Sequence, residues 1–280
     1  MKITFYGVRG SIPSPGPATA RFGGNTPCVH IQLENEKDVI FDAGTGIRNL
    51  GHILKRSITP IYLIVGHSHW DHIQGYPYFE PIFQPGRNIF VFPGNSDTHT
   101  RLCDVFDQLD GSHFPILAAE LPSHAECITE NPEIALARHG INVTRKRLNH
   151  PGGGYAYRLE EDGSSVAYIT DNELYPPGKT TTPYEEWVSF CKGVSVLIHD
   201  AQYTESDMPQ KQGWGHSIVS QVRQFAIDAG VETLVLFHHD PDRSDTELEQ
   251  IQVQTNAYFR GKNSPIKSLC AWEGLELELK

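Results

Sequence analysis

Three histidines and an aspartate lie within six residues in the run His67-Ser68-His69-Trp70-Asp71-His72. Imidazole nitrogen and carboxylate oxygen are the ligands that a hydrolytic, zinc-type ion takes, and sites that do chemistry leave a coordination position open for water. The run follows a continuous apolar stretch, residues 61–65, that reads as a buried strand, so a turn at its end can aim these side chains into a shared cleft. With 14 histidines among 280 residues, a chance match to this pattern is expected in roughly a few chains per thousand. Six residues cannot surround two ions alone, so further ligands must come from elsewhere.

The elements that would position the run are legible in the pattern. Residues 2–6, 28–33 and 38–42 read as strands of an opening meander, with a long Pro- and Gly-rich loop between the first two. Residues 47–56 place Ile47, Leu50, Ile53 and Leu54 at helical spacing. Apolar runs at 89–92, 141–148, 154–159, 165–170, 194–198 and 232–237 predict further strands, and helical patterns fall near 98–109, 184–191, 217–229 and 244–258. Early strands succeed one another like hairpins, whereas later ones alternate with helices, so the layering is neither all-β nor a regular parallel series. Two sheets with helices outside would fit. No repeat of 20–50 residues and no linker stands out, and the chain, 1–280, reads as one domain.

A formal charge of −11 and a pI near 5.6 argue against an extended nucleic-acid surface, which needs a basic footprint. Any phosphate must be gripped locally, and bound divalent ions would supply the positive charge. The apolar stretches are far too short to span a bilayer, and a strand-like pattern begins directly after Met1, so a soluble, cytoplasmic protein without membrane contact is expected. Cys28, Cys103, Cys127, Cys191 and Cys270 are widely spaced with no CxxC, which suits reduced thiols.

The HxHxDH run after a strand, preceded by Phe41-Asp42-Ala43-Gly44 and followed by Gly75, resembles the metallo-β-lactamase superfamily. The resemblance implies an α/β fold, the αββα sandwich, with two mixed β-sheets face to face and helices on the outer faces. It extends over nearly the whole chain, because His150, Asp171 and a histidine after residues 234–237 stand where the family keeps its remaining ligands. By this resemblance His67, His69 and His150 hold one divalent ion, Asp71, His72 and His238 hold the other, Asp171 bridges both, and Asp42 is a buttress behind them. Paired cations need such a shared carboxylate to offset their repulsion. His238 and His239 compete for the last position, and only one can face the cleft if strand alternation runs on through them; the place directly after the strand favours His238. Zinc is the default metal, with manganese or iron as alternatives.

Fold alone does not choose a reaction. His199-Asp200-Ala201-Gln202 and Gly215-His216-Ser217 resemble the His-Glu-Ala-Thr and His-Ser-Thr motifs of the tRNA 3′-processing endonucleases and related phosphodiesterases. Aspartate replaces glutamate, glutamine replaces threonine and isoleucine follows Ser217, so the resemblance carries best onto Asp200 and His216, which join Asp71 as catalytic candidates. A departing alkoxide needs an acid, and His216 can be that acid: a helix start biases the ring toward neutral, whereas Asp200 would favour the imidazolium. The bland alternative is that Ser217 caps the helix and His216 is incidental.

His150 and Asp171 are only 21 positions apart, without the long arm that the tRNA-processing enzymes insert there. With the acidic composition, this points to a small phosphodiester, and among the related enzymes to a cyclic nucleotide. The opening stretch through Arg9 and residues 22–26 also resemble that subgroup, which implies a homodimer. An RNA 3′-end endonuclease and a non-catalytic, metal-bearing nucleotide-binding homologue are the alternatives. Arg9 in its Gly-bounded turn is read as structural rather than phosphate-binding, Asn25 as a loop organiser, and residues 94–138 as a lid or a dimer contact.

Overall fold

A computed structural model of the chain describes residues 1–94 and 103–279. Each half of the chain lays down a three-stranded antiparallel meander and then adds strands in parallel. In the first half β1 (Lys2–Gly7), β2 (Cys28–Gln32) and β3 (Asp38–Phe41) form the meander, and β4 (Ile61–Ile64), β5 (Asn88–Phe92) and β6 (His124–Cys127) follow in parallel. The second half repeats the plan with β7 (Asn142–Arg147), β8 (Tyr155–Glu161) and β9 (Ser164–Ile169), then β10 (Val196–Asp200), β11 (Thr233–Phe237) and β12 (Lys267–Cys270). The last strand, β13 (Glu276–Glu278), returns to pair with β1. The sheets are ordered β13-β1-β2-β3-β4-β5-β6 and β12-β11-β10-β9-β8-β7.

Strand residues of both sheets point alternately to two different cores, which is why the central strands read as unbroken apolar runs. In β4, Tyr62 and Ile64 enter the core between the sheets, with Phe5, Phe41, Tyr168 and Phe237. Ile61 and Leu63 face the other way, onto α1 (Ile47–Leu54), where Ile47, Leu50, Tyr76 and Phe79 gather. The second sheet packs its outer face against α5 (Tyr184–Phe190), α6 (Val219–Ala229) and α7 (Asp245–Gly261) through Trp187, Phe225 and Phe259. The layers run helix, sheet, sheet, helix.

Several elements escape the apolar pattern. The strands β6, β12 and β13 are short, carry polar residues and lie at or near sheet edges, where one side of the ladder needs no apolar face. The helix α4 (Pro132–Arg138) is also unannounced; Asn131 caps it by accepting from the Glu133 amide. Of the helix expected at 98–109, residues 98–102 lie outside the described residues, and only α3 (Asp104–Asp107) is helical in the remainder. In the described part of 94–138, Val105 and Leu109 are buried and the Gln108 amide donates to the Ile73 carbonyl at 2.9 Å, whereas residues 110–131, Ser123 apart, are partly or fully exposed. No helix among the described residues is long and apolar enough to cross a membrane.

Candidate metal centre

The sequence candidates all come from loops that leave the strands of both sheets at one edge. Asp42 follows β3, His67 to His72 follow β4 and include α2 (Trp70–Ile73), His150 follows β7, Asp171 follows β9, Asp200 ends β10 and His238 follows β11. Three of them hold a left-handed backbone, with φ of 62° at Asp42, 57° at Asp171 and 56° at His238. This conformation is uncommon outside glycine, though Asp and His tolerate it better than most, and it reverses the chain at once, so each side chain stays over the strand ends. Two glycines permit close approach. A Cβ at Gly10 would lie 2.5 Å from His238 Nδ1, and one at Gly215, where φ is 88°, would lie 2.0 Å from His150 Nδ1.

Three groups of ligand atoms result; Asp200, His216 and His238 are one, and the other two share Asp171. His67, His69, His150 and Asp171 form one, and Asp71, His72, Asp171 and His238 form the other, with the atoms of each within 4.8 Å of one another. Asp171 belongs to both in a specific way. Its Oδ2 lies 3.5 Å from His67 Nε2 and 3.8 Å from His150 Nε2, whereas its Oδ1 lies 3.3 Å from His72 Nε2 and 3.1 Å from His238 Nε2. Tetrahedral ligation at zinc-type bond lengths sets ligand atoms about 3.3 Å apart, and His69 Nδ1 to His150 Nε2 (3.1 Å) and His238 Nε2 to Asp71 Oδ2 (3.2 Å) fall beside that value. Both ring nitrogens of buried His67 and Nε2 of buried His72 have no hydrogen-bond partner, which a buried polar atom rarely tolerates. The donor set therefore fits divalent metal.

The charges agree. Burial alone would raise the carboxyl of Asp71, but His72 and His238 hold it well below the usual carboxylate range; Asp171 is likewise held low, against its burial, by His238, His72 and His67. Burial and the neighbouring His72 keep His67 neutral, and burial depresses His150 to about 4. Ionised carboxylates and neutral imidazoles are the forms that bind a cation. His72, despite burial, is pushed well upward by Asp71, Asp171 and Asp42: three carboxylates around one ring draw in positive charge, here a proton.

Behind these groups stands a set of side chains that orient them. Asp42 accepts from His72 Nδ1 at 2.8 Å, from the Tyr168 hydroxyl at 2.7 Å and from the Gly66 amide at 2.7 Å, which turns His72 Nε2 toward the cluster. Gln202 Oε1 lies 3.0 Å from His238 Nδ1, and its Nε2 donates to Ser11 Oγ at 3.2 Å; the Ser11 amide in turn donates to Asp71 Oδ2 at 2.8 Å. Tyr168, Gln202 and Ser11 are the residues that sequence reasoning missed. Gln202 sits in a motif position where the related pattern has threonine, so its departure from the pattern was its one signal.

Beside the second group, Asp200 and His216 are joined by a 2.7 Å hydrogen bond to His216 Nδ1, and Asp200 also accepts from the Gln202 and Asn172 amides. Burial disfavours the charged ring, but Asp200, with help from Asp171 and Asp71, outweighs it and raises His216 to about 9. The His216 ring lies parallel to that of His238, centroids 5.2 Å apart. Ser217 does not cap α6: its hydroxyl donates to the Asn172 carbonyl at 2.6 Å, and the helix starts at Val219.

His239 turns away, its Nε2 donating to the Ala271 carbonyl at 2.9 Å. Arg9 is fully buried and spends its guanidinium on the carbonyls of Gly23, Asp240 and Arg243, so it ties loops together. Asn25 does the same through Glu273 and Thr45.

A family model described as a beta-lactamase superfamily domain matches residues 37–239. The chain belongs to the metallo-β-lactamase superfamily. Within the superfamily it falls in the ribonuclease Z-like branch: it is similar to the ribonuclease Z of Thermoplasma volcanium, 38% identical with 88% of this chain and 89% of that protein covered, and to that of Picrophilus torridus, 24% identical with 88% of each covered. Among solved metallo-β-lactamase folds, YhfI from Bacillus subtilis matches 99% of both chains with a TM-score of 0.72 at 17% identity. The Zn²⁺-bound PqqB from Methylobacterium extorquens matches 100% of both with a TM-score of 0.67 at 14% identity. The chain is a metal-dependent hydrolase of this superfamily.

Proposed function

We propose that residues 1–280 form one binuclear phosphodiesterase domain acting on small phosphodiesters, cyclic nucleotides first among them. Under this reading His67, His69 and His150 would hold one divalent ion, Asp71, His72 and His238 would hold the other, and Asp171 would serve both. Zinc is the ion we assign, since the donors are nitrogen and carboxylate oxygen and the separations suit tetrahedral ligation. Bound there, the pair supplies Lewis acidity toward water and the phosphoryl oxygens.

The observation that carries the reading is the Asp200–His216 pair beside the bridging aspartate. Asp200 holds the His216 Nδ1 and raises the ring to about 9, which favours the protonated form at neutral pH. His216 donates its proton to the oxygen leaving phosphorus, so an alkoxide need not depart bare. Asp200 fixes the ring, and the amides of Gln202 and Asn172 fix Asp200. Hydrolysis of a lactone or a thioester would leave this pair with less to do.

Cleavage of RNA 3′ ends is the second reading, favoured by the name ribonuclease Z that the relatives carry. Two features weigh for the smaller substrate. The stretch from His150 to Asp171 is filled by a short turn and the hairpin of β8 and β9, with no arm, and the chain carries a formal charge of −11. One panel tests both readings: metal content, then 3′,5′- and 2′,3′-cyclic nucleotides, bis-p-nitrophenyl phosphate and labelled pre-tRNA, each with wild type and His216→Ala. Turnover of a cyclic nucleotide that His216→Ala loses is the expected result; efficient pre-tRNA cleavage with no cyclic-nucleotide turnover would install the second reading. A cytoplasmic homodimer goes with the proposal and is checked by fractionation and light scattering.

A further inference from the structure

Two tryptophans that neighbour the site residues in sequence stand in solvent. Trp70, between His69 and Asp71, is 65% exposed, and Trp214, two residues before His216, is 59% exposed. Single exposed apolar residues are ordinary, but the backbone around Trp214 is built to hold it there. The buried carboxylate of Glu173 accepts from the Gly213 amide at 3.0 Å with one oxygen and from the Gly215 amide at 3.2 Å with the other, one amide on each side of Trp214. Both glycines are left-handed, with φ of 85° and 88°. The Gly215 carbonyl accepts from His150 Nδ1 at 3.2 Å. The loop is thus tied on one side to a buried acid and on the other to a histidine of the metal cluster, while the indole between the anchors is left in water.

We propose that Trp214 is a stacking platform for the aromatic base of the substrate, positioned by Glu173, with Trp70 as an apolar wall on the side of His69. The proposal rests on the phosphodiesterase reading above. Trp214 lies two residues before His216, the proposed donor to the departing oxygen, on the same anchored loop. A purine or pyrimidine has a flat face that an indole covers without hydrogen-bond readout, which makes the platform tolerant of base identity. The small phosphodiester is therefore one that carries a nucleobase.

The test uses the metal-replete full chain and two probes, AMP as a base-bearing ligand and inorganic phosphate as one without a base, titrated by calorimetry into wild type, Trp214→Ala, Trp214→Phe and Glu173→Gln. Base stacking of ordinary strength predicts that Trp214→Ala weakens AMP roughly tenfold, leaves phosphate and metal content where they were, and raises KM for a cyclic nucleotide by a similar factor. Trp214→Phe keeps most of the AMP affinity, and Glu173→Gln loses part of it by loosening the loop. Unchanged AMP binding in Trp214→Ala, or a parallel loss of AMP and phosphate, overturns the platform; so does a wild type that binds phosphate but no AMP. If wild type turns over no phosphodiester at all, the functional reading falls by itself, and the comparison of AMP with phosphate still decides the platform.

Discussion

The two halves of the chain each end a β-meander and then turn sharply on a left-handed aspartate, Asp42 after β3 and Asp171 after β9. The two carboxylates meet opposite surroundings. Asp42 is saturated by protein donors, a backbone amide, a phenol and the far nitrogen of His72. Asp171 receives one hydroxyl, from Thr170 at 2.6 Å, and otherwise faces the near nitrogens of four imidazoles. A buried carboxylate whose lone pairs are filled by the protein serves to orient; one whose lone pairs look at other acceptors needs a cation. Asp200 belongs with Asp42, since it too is filled by amides and holds a histidine.

The comparison breaks first at Asp171. Asp171→Ala should leave fewer than two ions per subunit by elemental analysis and lower hydrolysis by about three orders of magnitude or more; full activity with two ions bound would end the account. Next comes His216→Ala, expected to cost about a hundredfold or more in kcat with metal content intact, the usual worth of a general acid.

The pH profile sharpens the same point. His216 is raised to about 9, so under the proposed mechanism the acid is present below that value and kcat should fall on the alkaline side, at or below about 9, because bound cations would oppose the ring's charge. Asp200→Asn should move that limb to lower pH. The sign carries over to stability: a folded pKa above the unfolded value gives stabilisation that is complete below about 6.5 and is lost as pH rises through about 9.

Smaller effects are expected where the protein only orients. Asp42→Asn should weaken metal binding and activity by about ten- to a hundredfold, with activity partly restored by excess metal. Gln202→Ala frees a single nitrogen of His238 and should cost about tenfold in affinity for one ion of the two, read as a split between two steps in a metal titration. Equal loss at both steps would mean that Gln202 supports the loop rather than His238.

Much of the fold and of the candidate metal centre is legible in the residues alone. The apolar runs of β4, β9 and β11 mark strands packed on both faces, and a cluster of ligand types directly after such a strand implies a turn that gathers them. The edge strands are not legible, since Lys267-Ser268-Leu269-Cys270 carries no period that separates it from a loop. Alternation is also an insufficient guide to His238 and His239, because the left-handed turn at His238 ends the alternation there. Nor does composition foretell the Asp42 network, whose three donors come from residues 66, 72 and 168.

Sequence by itself determined the kind of chemistry, because ligand type is a property of single residues and their short spacing survives without a fold. Tertiary structure decided which oxygen of Asp171 faces which histidines, which carboxylates are filled and which are bare, and that Gln202 reaches His238 from a different strand. Those are relations between residues far apart in the chain, fixed only when two sheets pack face to face and bring their strand ends to one edge.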